Sequence, residues 1–315
     1  MTNANFPQPI EVAKDVWQID VLERNTPKRT AAYLILDDAP TLIETGAANS
    51  HDALIHGLSA LELRPADLAH VIVTHVHLDH AGGAGQMMAK ATNADLVVHP
   101  RGARHMADPS KLWAGASEVY GERANSLFGA MVPVPADKIR TQAHGSKLAI
   151  GKRTLQFFDS PGHAKHHFTI LDELSDALFA GDAVGICYPD ALTHFGYDFI
   201  LPSSSPIDFD PAAVHNTLTM LEQLPFTWVY HAHFGRSPKA TAIEETGRWV
   251  DMFAALIEEI YTPDVEIDTI EQALRTLITT TLRSEGHALG DMSFLDMDMR
   301  LDAMGLKFYE EKRRR

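Results

Sequence analysis

The stretch Thr74-His75-Val76-His77-Leu78-Asp79-His80-Ala81-Gly82-Gly83 decides how this chain is read. It runs straight on from Ala69-His70-Val71-Ile72-Val73-Thr74, a continuous apolar run of the kind a buried strand shows. In extended backbone, residues two apart point the same way, so His75 and His77 can grip one metal ion. Asp79 and His80 lie beyond the bend, face a neighbouring position, and are able to hold a second ion. Gly82 and Gly83 let the backbone pack closely as a helix starts. Three imidazoles and a carboxylate are borderline donors that suit zinc, and also iron or manganese. A lone His pair on a strand is commonly a packed, hydrogen-bonded side chain. Four donors between positions 75 and 80, at the end of a buried strand, are not explained by packing.

Further donors must come from elsewhere, and three loops offer them. Ser160-Pro161-Gly162-His163 follows a strand at 155–158, Ala180-Gly181-Asp182 follows one at 177–179, and His231-Ala232-His233-Phe234-Gly235 follows one at 227–230. All three sit just past strand ends, where one sheet edge would bring them together. Periodicity does not separate His231 from His233. His233 is preferred because it lies farther past the strand end and Gly235 follows it for the turn back.

Composition bounds the function. With 45% hydrophobic and 22% charged residues in 315, the chain is ordinary globular material, which excludes disordered, collagen-like and coiled-coil classes. The net charge of −15 repels nucleic acid and anionic membrane. The one basic cluster, Lys312-Arg313-Arg314-Arg315, reads as a helix end. Cys187 is the single cysteine, so no intrachain disulfide forms; it reads as a small hydrophobe. No apolar run approaches the ~20 residues a membrane helix needs, and Met1–Asp20 has neither a basic nor an apolar leader region. The expectation is a soluble, cytoplasmic protein with a small-molecule substrate and neither nucleic-acid nor membrane partner.

Strands and helices alternate through two halves, roughly 1–130 and 140–238. Short strands are expected at 16–21, 32–36, 41–43, 95–98, 147–150, 154–158, 169–171 and 177–180. Asp210-Pro211 caps a helix running to Leu224. Residues 103–135 form a long excursion with helical pieces, either a lid or pocket wall or a packing embellishment. Residues 185–209 read as a loop rich in aromatics and proline. After Lys239 the pattern is helical: Ile243, Gly247, Val250, Phe253, Ile257 and Ile260 share one face, Asp268 caps a next helix with Glu271 at the capping-box position, and a last helix spans 294–308. The helices carry no metal cluster. They pack on the core, cover the site, or pair in a homodimer.

The order of motifs resembles that of the metallo-β-lactamase-fold hydrolases. The match runs from about residue 15 to 240 and is carried by His75-Val-His77-Leu-Asp79-His80, Pro161-Gly162-His163, Gly181-Asp182 and His233-Phe-Gly235. The resemblance implies an α/β fold, a four-layer αβ/βα sandwich over residues 1–240, here with a C-terminal helical extension at 241–315. It implies a dinuclear centre of two divalent metal ions, zinc first, with iron or manganese as the others. Carried over by position, His75, His77 and His163 hold one ion, Asp79, His80 and His233 the other, and Asp182 bridges. The implied activity is hydrolysis of a small ester, lactone or thioester by a metal-bridging hydroxide, with Asp79 shuttling a proton to the leaving group. A phosphodiesterase, using Arg101, Lys165 or Arg236, and a metal-bound sensor without turnover are the alternatives.

Departures narrow the branch. Lactamases of the best-known zinc class have Cys where this chain has Asp182. The diiron redox branch has Glu at the position of His77. Glyoxalase II enzymes usually read Gly-Asp-Thr-Leu-Phe where this chain has Gly181-Asp182-Ala183-Val184-Gly185. Lactonases of acyl-homoserines have a Tyr soon after the bridging Asp; here the nearest is Tyr188. Tyr188, His194 and Tyr197 follow the bridging Asp and are candidates for substrate contact. Glu44, where many relatives have Asp, is a candidate acceptor behind a ligand His. His167, four past His163, reads as structural or supporting. His99 and His105 read as packed or surface residues.

Overall fold

In the computed structural model, which describes residues 6–315, the chain divides into two units. The first holds the chain up to Asp159 together with His166–Gly181, and the second holds Ser160–Lys165 with Asp182–Arg315. The first five residues of the Met1–Asp20 stretch lie outside the described residues.

In the first unit, β1 (Ile10–Ala13), β2 (Val16–Asp20), β3 (Ala31–Ile35), β4 (Thr41–Ile43), β5 (His70–Ile72), β6 (Asp95–Val98) and β7 (Ile139–Thr141) form one sheet in sequence order. It is antiparallel from β1 to β4 and parallel from β4 to β7. One face is covered by α1 (His51–Ala60) and α3 (Ala84–Lys90): Leu54, Leu58, Met87 and Met88 close on Ile19, Leu34, Leu42, Val71, Val73 and Leu96. Each such side chain, taken fully out of water, contributes about 1.5–3 kcal/mol. β8 (Lys147–Ala149), β9 (Thr154–Asp159), β10 (Phe168–Asp172) and β11 (Ala177–Gly181) pair antiparallel in turn. Tyr33 of β3 meets Phe179 of β11 edge-on, with ring centroids 5.3 Å apart. Residues buried on both faces explain why β3 and β11 read as unbroken apolar runs.

Register positions the chemistry. Ile43 of β4 lies beside Ile72 of β5, and Ile72 beside Val97 of β6. The three strands therefore end level, and the residues after them, Glu44, Thr74 and His99, leave from the carboxyl edge where α/β sheets place their sites. The excursion at 103–135 supplies α4 (Ala103–Ala107), α5 (Ser110–Tyr120) and α6 (Ala124–Phe128). Ala116 and Phe128, with Trp113 and Tyr120 beside them, pack on Leu78 of α2 (Leu78–Ala81), the short helix that carries Asp79 and His80.

In the second unit, residues 185–209 depart from the expected loop. β12 (Ile186–Tyr188) and β13 (Phe199–Leu201) pair antiparallel around α7 (Asp190–Thr193). Proline, glycine and charge between the two short apolar runs hide the strand signal, while the β-branched and aromatic residues of the runs form the pairing. In α8 (Pro211–Glu222) the Asp210 carboxylate accepts from the Ala213 amide at 3.2 Å, the expected cap. β14 (Trp228–His231) pairs with β15 (Arg236–Pro238), and α9 (Lys239–Ile260), α10 (Ile267–Ser284) and α11 (Asp296–Arg313) follow. The buried stripe of α9 centres on Trp249, Val250, Phe253 and Ile257; Ile243 and Ile260 are half-buried. Asp268 does not cap α10. It lies in the first turn, where it and Glu271 pair with Arg300 of α11. α11 outruns its expected end at 308 because Arg313 and Arg314 both pair with Glu310. Among the described residues no helix is long and apolar enough to cross a membrane.

Candidate metal centre

The first unit gathers His75, His77, Asp79 and His80. The expected extended segment is broken just after β5: the chain bends at Thr74 and His75, is extended at His77, and α2 begins at Leu78. The His75 Nε2 and His77 Nδ1 atoms stand 3.0 Å apart, and the His75 and His80 rings are 4.0 Å apart by centroid. His75 and His80 are buried. The Asp79 side chain keeps 26% exposure, with one oxygen 3.9 Å from His80 Nε2. Thr45 holds α2 in place, since its amide and its hydroxyl both donate to the His80 carbonyl, at 3.0 and 2.8 Å.

Glu44 underlies this cluster. It is buried in a left-handed conformation (φ 68°), strained backbone of the sort that collects at functional sites. The Thr74 hydroxyl donates to Glu44 Oε1. Having one hydrogen, that hydroxyl then accepts from His75 Nδ1 at 3.1 Å. The relay fixes the Nδ1–H tautomer of His75 and leaves Nε2 as a lone pair turned toward His77. Glu44 Oε1 also lies 3.5 Å from His80 Nδ1. One ligand atom each from Glu44, His75 and His80 lies within 4.8 Å of the others, a grouping able to hold a metal ion.

His167 stacks on His75 with centroids 4.8 Å apart, which makes it a packing support for that ring. It also explains the glycine at 181: a Cβ there would meet Thr74 Oγ1 at 2.4 Å and His167 Nε2 at 2.5 Å, and φ is +51°. His166, which the sequence reading passed over, accepts the Val76 amide on Nδ1 at 3.4 Å and lies edge-on to His77, centroids 5.4 Å apart. Its place in the His163–His167 run was the available signal. Of the two histidines read as ordinary, His99 is buried with Nε2 3.2 Å from Asp159 Oδ1, and His105 is half-buried beside Arg104.

The second unit gathers His163, Asp182 and His233. His163 Nε2 is 3.5 Å and His233 Nε2 is 3.8 Å from the same Asp182 oxygen, Oδ2. All three side chains are buried. The Nδ1–H of His163 donates to the Ser203 carbonyl at 2.8 Å, which fixes the ring with its Nε2 toward Asp182. This arrangement of donors fits a metal ion.

The structure also separates His231 from His233. His231 is fully buried, with Nδ1 3.0 Å from the Gly185 carbonyl and Nε2 2.7 Å from the Ser237 hydroxyl. Burial pushes its imidazole down to about 4. Both nitrogens are therefore taken by structural bonds. Cys187 is buried, and burial pushes its thiol up to about 12, which keeps it protonated and inert.

The three candidates for substrate contact fare differently. Tyr188 is fully buried, and its hydroxyl donates to Asp298 of α11 at 3.2 Å, so it is a strut between the β12 strand and the last helix. His194 is exposed at the left-handed end of α7. Tyr197 is half-buried and stacks on His287 at 4.1 Å.

A family model described as the metallo-beta-lactamase superfamily matches residues 25–233, the segment containing every candidate ligand. A metallo-beta-lactamase fold-containing protein of Sulfurisphaera tokodaii is 23% identical over 58% of this chain and 64% of its own length. A hydroxyacylglutathione hydrolase of Hahella chejuensis is 24% identical over 52% of this chain and 47% of its own. The chain thus spans less than two thirds of the length of these relatives. Among solved structures, a metallo-beta-lactamase family protein of Thermus thermophilus superposes with a TM-score of 0.64 at 18% identity, covering 96% of this chain and 95% of that one. An archaeal superfamily protein from Sulfolobus tokodaii superposes with a TM-score of 0.62 at 22% identity, covering 85% and 96%. These likenesses are of fold; the family match, which spans about two thirds of the sequence, shows that the chain belongs to the metallo-beta-lactamase superfamily.

Proposed function

We propose that this chain is a dinuclear metal-dependent hydrolase acting on a small thioester, ester or lactone. The observation that carries the reading is the convergence of donor atoms: His75 Nε2 and His77 Nδ1 3.0 Å apart in one unit, and His163 and His233 Nε2 at 3.5 and 3.8 Å from Asp182 Oδ2 in the other. In this reading His75, His77 and His163 hold one ion, Asp79, His80 and His233 hold the second, and Asp182 serves both. Zinc suits the donors best, with iron and manganese next.

Bound divalent ions would lower the pKa of a water toward ~7 and polarise the substrate carbonyl. The chain's own residues do the rest. The Glu44–Thr74 relay keeps the His75 tautomer, and the Ser203 carbonyl keeps that of His163. Asp79, whose side chain keeps 26% exposure, is the donor proposed to carry a proton to the departing thiolate or alkoxide. Relatives named as hydroxyacylglutathione hydrolases and a thioesterase of Emericella nidulans put thioesters first among the substrates. Two of the three cations considered for phosphate binding are engaged elsewhere: Lys165 pairs with Asp208 at 2.7 Å, and Arg236 stacks over Trp228 at 4.4 Å. That favours acyl substrates over phosphodiesters.

The test is turnover by purified, metal-loaded protein on a panel of acyl thioesters, aryl esters, lactones and bis-aryl phosphodiesters. Hydrolysis of an acyl substrate, abolished by Asp182→Ala, is the expected result. Cleavage of the phosphodiester alone, or metal uptake without turnover on any member, would overturn the reading.

A further inference from the structure

The last helix carries a carboxylate that the proposed reaction does not use. Asp302 of α11 is 3% exposed, a setting in which acidic side chains are seldom found without partners. Its Oδ1 accepts both the amide and the hydroxyl of Ser204, each at 2.7 Å. The helix backbone presses on the same residue: a Cβ at Gly305 would sit 1.9 Å from the Ser204 carbonyl oxygen, so only glycine permits this approach. On either side of Ser204 the chain turns to His163. The Ser203 carbonyl accepts the His163 Nδ1–H at 2.8 Å, and the Ser205 hydroxyl donates to the His163 carbonyl at 2.7 Å. Residues 203–205 are thus a bracket, gripped by α11 through the middle residue and gripping His163 by ring and backbone through the outer two.

We propose that Asp302 is a positioning residue for His163: by fixing Ser204 it sets the Ser203 carbonyl that holds the imidazole as its Nδ1–H tautomer, with Nε2 turned to Asp182. The inference rests on the reading of His163 as a metal ligand. A ligand imidazole whose other nitrogen donates to a fixed acceptor is both aimed and made more basic, so metal affinity depends on that acceptor. The acceptor here is a backbone carbonyl, which has no side chain of its own to anchor it. Its anchor is the buried contact at the next residue. Burial pushes the Asp302 carboxyl up to about 7, with Asp298 and Asp182 adding to the rise, so the group stands there against its own solvation. The family match ends at residue 233, yet α11 lies beyond it and reaches back to a ligand inside it.

The experiment measures the zinc dissociation constants of the full chain by chelator competition, for wild type, Asp302→Asn, Asp302→Ala, Ser204→Ala and, as a comparator, Ile278→Ala at a buried site on α10. Asp302→Ala should weaken one of the two ions roughly 10–100-fold and leave the other near its wild-type value. Asp302→Asn, which keeps the Oδ1 acceptor, should bind close to wild type. Ile278→Ala should lower the melting temperature without weakening zinc. Ser204→Ala, which loses the hydroxyl bond and keeps the amide bond, should weaken the same ion by less. Folded Asp302→Ala with both constants unchanged would overturn the proposal. If Asp302→Ala does not fold, unchanged constants in Ser204→Ala would overturn it. A wild-type chain that takes up no zinc would defeat the metal-site reading itself, and this proposal with it.

Discussion

The two nitrogens of His231 are engaged by the Gly185 carbonyl and the Ser237 hydroxyl, whereas His233, two residues on, turns its Nε2 to Asp182. Substitution should expose this division. His233→Ala should lose one equivalent of metal and most of the hydrolysis while keeping the fold. His231→Ala should keep both metals but leave buried polar groups unsatisfied, destabilising the protein by about 1–3 kcal/mol. Elemental analysis paired with urea unfolding separates the outcomes, and metal loss from His231→Ala alone would exchange the two roles. The donor run from His75 to His80 was legible as chemistry because its members are adjacent and packing does not require them. The supports behind it were not. Thr74 reads as the last residue of an apolar run, and its link to Glu44 spans 30 residues. Ser203 acts through its carbonyl, which any residue possesses, and Asp302 meets Ser204 across 98 residues.

Arg153, in the turn before β9, ties two segments of the first unit together. Its guanidinium is 2% exposed and pairs with Asp172 of β10 at 2.6 Å, with Asp37 3.6 Å away. Asp172 is fully buried, so removing its partner leaves an uncompensated charge. Arg153→Ala should therefore destabilise by about 3–5 kcal/mol in denaturant unfolding, by the usual cost of breaking a buried ion pair. Arg300→Ala should cost about 1 kcal/mol or less, because its pairs with Asp268 and Glu271 are exposed. Equal losses in the two variants would contradict the burial argument. Strands were legible where both faces are buried or a turn residue bounds them, as at β4 and β6. The β12–β13 hairpin was not, because short runs separated by Pro189, Gly196 and the aspartates Asp190 and Asp198 resemble a loop. Asp268 and Glu271 were legible as a capping pair by spacing alone, but tertiary pairing with Arg300 takes both carboxylates.

Across the molecule, all seven candidate ligands, His75, His77, Asp79, His80, His163, Asp182 and His233, fall within the segment that places the chain in its superfamily. Each unit brings donor atoms together at short range, imidazole nitrogens in the first and imidazole nitrogens with a carboxylate oxygen in the second, a set that suits cations. The acidic net charge of −15 favours cation uptake and disfavours polyanionic substrates, in keeping with a small acyl substrate. The central claim is that these seven side chains form a dinuclear centre. Its most direct test is the metal content of the full chain, purified without chelator and then titrated separately with zinc, iron and manganese. The account predicts a plateau of two equivalents per chain with at least one of these metals, falling in Asp182→Ala. A plateau of one equivalent or none with every metal would contradict it.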